Sequence, residues 1–331
     1  MTTFTALPDP SSPLSHESAA EAFADILDGN VAEEAVERFL IELSIRGETS
    51  IEIAEAAKAM RSRMLSIAAP EGAIDVCGTG GDGHHTLNVS TAVSLVVAAC
   101  GVPVAKHGNR AASSKAGAAD TLEALGLDLD RATAQAEETL RDLGIAFLFA
   151  ANHHPAMARI APLRRRMGRR TIFNLMGPLA NPAHVRRQLI GIARPDYAPI
   201  YAEALAQLGT EAALVVSGLE GLDELSGEGV SLAVSVGCIA LPQEITPETA
   251  GLRRYPLAAI RGGTPEENGI ALRRLLQGEP GPYREAVLLN AAAALVVAGQ
   301  APDLRRGAEE AAEVLDNGLA NALLDCWIAY E

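Results

Sequence analysis

DVCGTGGDGHHTLNVSTAVSLVVAACGVPVAKHGNRAASSKAGA, residues 75–118, reads as strand, turn, helix, strand and turn in succession. A short apolar strand runs to Cys77 and turns through Gly78-Thr79-Gly80-Gly81-Asp82-Gly83. Asn88, Val89, Ser90 and Thr91 follow, a row rich in helix-capping side chains just before an apolar run to Cys100. The helix is predicted to start after that row. A second strand, 102–105, delivers Lys106-His107-Gly108-Asn109-Arg110 into another loop. Glycine lets backbone approach a ligand closely, a helix start offers unpaired N–H groups, and lysine adds positive charge. That combination suits phosphate.

Gly78, Gly80 and Gly83 also spell G-x-G-x-x-G, the dinucleotide fingerprint. Such a site needs its helix to begin at the glycines and a carboxylate about 20 positions on, at the next strand end. Here that strand runs into Lys106, a cation where a ribose hydroxyl needs an acceptor. The dinucleotide reading fails on that point. Taken alone, the glycines could simply make a turn; the polar loops that follow successive strands weigh against it.

Working outward, the 331 residues suffice for two domains, and 48% hydrophobic with 21% charged residues describes an ordinary globular chain. The formal charge of −15 excludes non-specific nucleic-acid binding, so local basic clusters are read as sites for small anions. Cys77, Cys100, Cys238 and Cys326 form no C-x-x-C pair and are expected to be small buried hydrophobes in a reducing compartment. No signal-like segment and no run of membrane-spanning length occurs, so the expected location is the cytoplasm, with no membrane partner.

Residues 1–14, rich in Pro, Ser and Thr, are expected to be a flexible tail. Over 15–70, apolar residues fall at helical spacing, with breaks at Asp28-Gly29-Asn30 and around Gly47, which predicts a small helical domain. From 71 to 331 short apolar strands, at 145–149, 188–192, 214–217 and 230–236, alternate with helices. These helices are placed at 131–143, 196–208, 265–277, 283–299 and 307–317. The fold class is therefore α/β: a mostly parallel sheet beside a helical domain, with ligands at the carboxyl ends of the strands.

Three further clusters lie on expected loops or helices. Asn152-His153-His154-Pro155 follows a strand; adjacent histidines lack metal-ligand spacing, and a polar or stacking role in a pocket fits better. Arg164-Arg165-Arg166 and Arg169-Arg170 are the densest positive patch, mostly a solvated helix face, although one arginine could hold a carboxylate through paired N–H donors. Asp223-Glu224, on the glycine-flanked loop 217–226, offers hard oxygens of the kind Mg²⁺ takes when it bridges to phosphate; solvated Asp-Glu pairs are equally ordinary.

GTGGD at 78–82, NVST at 88–91, KHGNR at 106–110, HHPAMARIAPLRRRMGRRTIFNLMGPLANP at 153–182, and RGGTPEENGIALRRLLQGEPGPYREAVLLNAAAALVVAG at 261–299 resemble the anthranilate phosphoribosyltransferases. The likeness covers about 16–320 and implies the transfer of a phosphoribosyl group from phosphoribosyl pyrophosphate to anthranilate, in tryptophan biosynthesis. It implies a helical domain joined by part of 155–185, a homodimer through that domain, and two Mg²⁺ per site held by Ser90, Asp223 and Glu224. Phosphoribosyl pyrophosphate would be bound by Gly78, Gly81, Asp82, Thr86, Asn88, Val89, Ser90, Thr91, Lys106, His107, Gly108, Asn109, Arg110, Ala111, Ala112, Ser113, Ser114 and Ala118. Anthranilate would meet Gly78, His107, Asn109, His154, Arg164, Gly177 and Pro178, with Arg164 at its carboxylate. Two departures stand out: Glu220 where the family has Asp, and Ala118 where it has a phosphate-contacting Ser. A pyrimidine nucleoside phosphorylase shares the architecture but requires neither the Asp223-Glu224 pair nor an arginine for an aryl carboxylate. A non-catalytic paralogue binding nucleic acid would have lost those carboxylates or gained positive charge.

Overall fold

A computed structural model describes residues 4–111 and 115–331. The chain begins with α1 (His16–Asp28), α2 (Glu33–Arg46) and α3 (Ser50–Arg61). Then come β1 (Ile74–Gly78), α4 (Val89–Ala99), β2 (Val104–Gly108), α5 (Ala118–Ala124), α6 (Leu129–Ala134), α7 (Ala136–Asp142) and β3 (Ile145–Phe149). Next are α8 (Ala150–His153), α9 (Pro155–Met167), α10 (Met176–Leu179), β4 (Arg187–Gly191) and α11 (Ala198–Gln207). β5 (Ala212–Gly218), β6 (Ser231–Gly237) and β7 (Glu244–Ile245) complete the sheet. The chain closes with α12 (Pro265–Leu276), α13 (Pro282–Ala298), α14 (Leu304–Asp316) and α15 (Leu319–Ile328).

The strands lie in the order β3-β2-β1-β4-β5-β6-β7. The first five are parallel, while β6 and β7 return antiparallel. The chain moves outward from β1 to β3, then crosses back to place β4 on the other side of β1. That reversal makes β1 and β4 the switch point of the sheet, with Gly78 paired to Gly191 at their carboxyl ends.

Side-chain alternation along the strands gives the sheet a core on each face. Leu214 and Val216 join one core with α4 and α13; Ala213 and Val215 join another with α1 to α3, α9 and α11. The first and third helices are well specified locally. Ser15 caps α1, Gly29 ends it at φ +78°, and Thr49 with Glu52 forms a capping box on α3. Ahead of α1, the Thr5 N–H donates to the Asn30 carbonyl at 2.8 Å and the Leu14 N–H to the Glu52 carboxylate at 2.9 Å.

Several local expectations need correction. α4 begins at Val89, so Ser90 and Thr91 lie in its first turn. Lys106 and His107 are strand residues, not loop residues: Pro103 brings no N–H to the ladder, so β2 starts at Val104 and pairs Lys106 with Phe147 and His107 with Leu148. The predicted helix 131–143 is two helices parted at Gln135. Cys238 and Cys326 are exposed rather than buried. Among the described residues no helix is long and apolar enough to cross a membrane.

Candidate active site

At the switch point the acidic loop after β5 folds over the ends of β1 and β4. A side chain on Gly191 would collide with the Asp223 backbone, and one on Gly78 with the Asp223 carboxylate. Only hydrogen fits at either position, which is how the loop reaches the sheet. The Gly80 N–H donates to Asp223 Oδ2 at 2.7 Å, and the Ser90 N–H to Glu224 Oε1 at 3.3 Å. The glycine loop, the first turn of α4 and the acidic pair are therefore one construction. Gly80 and Gly81, at φ +70° and +71°, supply the left-handed backbone that the turn requires. Arg170 reaches across to the carbonyls of both.

Lys106 lies beneath this junction, its ammonium donating to the Val76 carbonyl at 2.8 Å and the Ser90 hydroxyl at 3.2 Å. Burial pulls its pKa down, and buried Asp75 opposes that pull. Asp75 accepts from the His107 N–H at 3.1 Å and the Asn181 amide at 2.8 Å. The Asp223 and Glu224 carboxyls are both held above the usual range, first by burial; Asp82 then raises Asp223, and Asp223 with Asp82 raises Glu224. Glu224 Oε2 is buried without a hydrogen-bond partner. Clustered hard oxygens, with Glu224 Oε2 left without a donor, fit Mg²⁺. Among the described residues no three His, Cys, Asp or Glu side chains form a ready cage. That suits an ion taken by one or two carboxylates together with substrate phosphate.

The remaining predicted residues divide by what they touch. The Asp82 carboxylate accepts from the His84 N–H at 3.1 Å, and Thr86 forms a bridge with Arg261. Val89 and Thr91 are 1% exposed, so neither side chain reaches the surface. The Asn88 amide is bonded to Thr121, Asn268 and Ala116. Gly108 lies against the Phe147 ring, and Asn109 Oδ1 accepts from the Arg110 N–H at 2.8 Å. Arg110 is committed to Asp120 and Glu123, with its guanidinium 5.6 Å from the Phe149 ring centre. The Asp120 carboxylate accepts the Ala111 and Gly117 N–H groups, each at 2.9 Å. Ala118 opens α5. Ala112, Ser113 and Ser114 lie outside the described residues.

On the anthranilate side, His107 Nδ1 donates to the Gly177 carbonyl at 2.9 Å, and its Nε2 lies 3.2 Å from His154 Nε2. Both rings are buried; burial and the facing histidine take His107 to about 3, and burial with His153 takes His154 to about 4. This pair braces the loop that carries Gly177 rather than lining an open cleft. The space above Gly177 is open, and the Pro178 carbonyl is tied to Gln188 at 2.7 Å. Arg164 is the partly buried member of the arginine cluster, and among the described residues it meets no carboxylate. Arg165, Arg166 and Arg169 are exposed, as a solvated face requires. Glu220 turns back to accept the Ser226 hydroxyl, a bond within its own loop.

Sequence reasoning passed over Asp75, Asp120, Asn181 and Asn268. A carboxylate inside the apolar strand 74–77 was the available signal for Asp75; the others need the fold.

Residues 70–321 match the family model for the α/β domain of the glycosyl transferase family, and 10–64 match its helical bundle domain. The chain is 68% identical to the anthranilate phosphoribosyltransferase of Novosphingobium aromaticivorans over 98% of its length and 99% of that protein. The chain belongs to the anthranilate phosphoribosyltransferase family. The family member from Thermus thermophilus has a similar crystal structure, with a TM-score of 0.90, 45% identity and 96% of each chain covered. The anthranilate phosphoribosyltransferase of Saccharomyces cerevisiae in complex with PRPP and Mg follows at a TM-score of 0.85 and 28% identity, covering 96% of this chain and 93% of that one. The fold expected of an anthranilate phosphoribosyltransferase, a helical domain with an α/β domain on a mostly parallel sheet, is the fold observed.

Proposed function

We propose that this chain transfers the phosphoribosyl group of phosphoribosyl pyrophosphate to the amine of anthranilate, giving N-(5-phosphoribosyl)anthranilate and pyrophosphate in tryptophan biosynthesis. The observation that carries the reading is the union, at one switch point, of the glycine loop, the α4 start, Lys106 and the Asp223-Glu224 pair. Partly buried Arg164, free of any carboxylate among the described residues, supplies the aryl-acid end.

Anthranilate's amine is already neutral at pH 7, so no strong base is required. The demands are charge neutralisation on the leaving group and alignment of two substrates. Mg²⁺ supplies the first when bound, with Asp223, Glu224 and Ser90 as its holders and two ions per site as the stoichiometry we infer. The glycine loop offers phosphate the Gly81 and Asp82 N–H groups, because those of Thr79, Gly80 and Ser90 are spent on Gly191, Asp223 and Glu224. Arg164 pairs with the anthranilate carboxylate, and Asn109 orients the ring over Gly177 and Pro178. The His107–His154 pair fixes the height of that floor. Catalysis is then by positioning and electrostatics, without a covalent intermediate.

The shared core of α1 to α3 with α9 supports a helical domain of 15–70 joined by part of 155–185, with 71–331 as the α/β domain. A homodimer through the helical domain and a cytoplasmic location complete the proposal. The test is anthranilate fluorescence followed over time with phosphoribosyl pyrophosphate and Mg²⁺, against a parallel sample in chelator. Magnesium-dependent loss of signal is expected; a signal that holds under both conditions, with folded protein, overturns the reading.

A further inference from the structure

Among the described residues the Asn88 side chain makes three hydrogen bonds. Its Oδ1 accepts from the Thr121 hydroxyl at 2.6 Å and from Asn268 Nδ2 at 2.8 Å; its Nδ2 donates to the Ala116 carbonyl at 3.3 Å. Its main-chain carbonyl accepts the Tyr283 hydroxyl at 3.0 Å. Asn88 immediately precedes the turn that holds Ser90, and Ala116 borders the turn that leads to Ala118.

Of the residues bonded to the Asn88 side chain, Asn268 comes from farthest along the chain, and it is 2% exposed. Its Oδ1 accepts the Gly263 N–H at 2.8 Å while its Nδ2 donates to Asn88. α12 does not need it as a cap, because Thr264 and Glu267 already form a capping box there. The two ends of the Asn268 amide thus do different work, one closing the Gly262-Gly263 turn and the other fixing Asn88. An aspartate could serve the first but would face Asn88 Oδ1 with a second acceptor.

We propose that Asn268 is a positioning residue for the phosphoribosyl pyrophosphate site, acting through Asn88 to set the first turn of α4 against the 116–118 turn. This rests on the function proposed above. It predicts that Asn268 governs the phosphorylated substrate and leaves anthranilate alone.

The test is Asn268→Asp in the wild-type and Asn88→Ala backgrounds, with phosphoribosyl pyrophosphate plus Mg²⁺ titrated by calorimetry, KM for anthranilate measured, and melts run in parallel. In the wild-type background, Asn268→Asp should weaken phosphoribosyl pyrophosphate by about tenfold, or about 1.4 kcal/mol, with KM for anthranilate unchanged. In the Asn88→Ala background the same change should cost less than about twofold, because its partner is already gone. Wild-type affinity in the single variant, equal losses for both substrates, or a tenfold loss that persists without Asn88 would each overturn the inference. Should Asn268→Asp fail to fold, Asn268→Ala is read by the difference between the two backgrounds, since it also frees the Gly263 N–H; a loss that does not shrink without Asn88 overturns the inference. A wild-type chain that binds no phosphoribosyl pyrophosphate overturns the underlying function as well, and is recognised by that result alone.

Discussion

The main-chain N–H of Gly80 donates to Asp223 Oδ2 at 2.7 Å, fastening the glycine loop to an acidic residue 143 positions later. That bond is possible because Gly78 and Gly191 carry no side chains to hold the acidic loop away from the sheet. Gly191→Ala sets a methyl group against the Asp223 backbone, which cannot yield as a flexible side chain would. We expect a loss of about 1–3 kcal/mol of stability and a raised Mg²⁺ requirement, read from thermal melts and a Mg²⁺ titration of rate.

Arg164→Ala removes the partly buried guanidinium assigned to anthranilate's carboxylate. A charge-assisted paired contact of about 1.5–3 kcal/mol corresponds to a roughly 10- to 100-fold rise in KM for anthranilate. KM for phosphoribosyl pyrophosphate should move far less. Equal shifts in both constants would assign Arg164 to structure instead.

Glu224→Gln removes one of the charges that burial and Asp223 disfavour. Without metal the variant should melt above the wild type, by an amount equivalent to ~1 kcal/mol. With metal it should need several times more Mg²⁺ for half-maximal rate. A variant with unchanged Mg²⁺ dependence would exclude Glu224 as a holder of the ion.

The buried His107–His154 pair makes stability depend on pH. Both folded pKa values, about 3 and about 4, lie below the ordinary histidine value, so the unfolded chain takes up protons first as pH falls. The stability they contribute is fully present above about pH 6.5 and is lost as pH falls toward the folded values. At pH 5 the loss should be of order 2 kcal/mol for each ring. Urea unfolding at pH 7 and pH 5 measures it, and a His107→Gln, His154→Gln double variant should lose most of that difference.

Ala118 opens α5 beside Gly108, where its methyl would be 3.4 Å from a Cβ on that glycine. Ala118→Ser restores a hydroxyl next to the proposed phosphate loop. A hydrogen bond of about 0.5–1.5 kcal/mol would lower KM for phosphoribosyl pyrophosphate by roughly two- to tenfold. An unchanged KM would mean that another group already serves the phosphate.

Much of this protein could be read in its amino-acid order because the deciding signals are local. Strand-helix alternation after residue 73 gives the parallel sheet, helical spacing before it gives α1 to α3, and clustered glycines mark loops where backbone must turn or yield. Asp223-Glu224 and the arginine cluster at 164–170 were visible as residue types suited to magnesium and carboxylate, while the family resemblance singled out Arg164. What tertiary structure decided is which of these groups are free. Lys106 looks like a loop cation in sequence but is a buried strand residue spent on Val76 and Ser90. Arg110 looks like a phosphate ligand but is already paired with Asp120 and Glu123. Asn88 resembles a cap, yet its amide is bound to residues up to 180 positions away. A side chain's chemistry is fixed by its own atoms; its availability depends on which distant donors and acceptors the fold brings within about 3 Å of it.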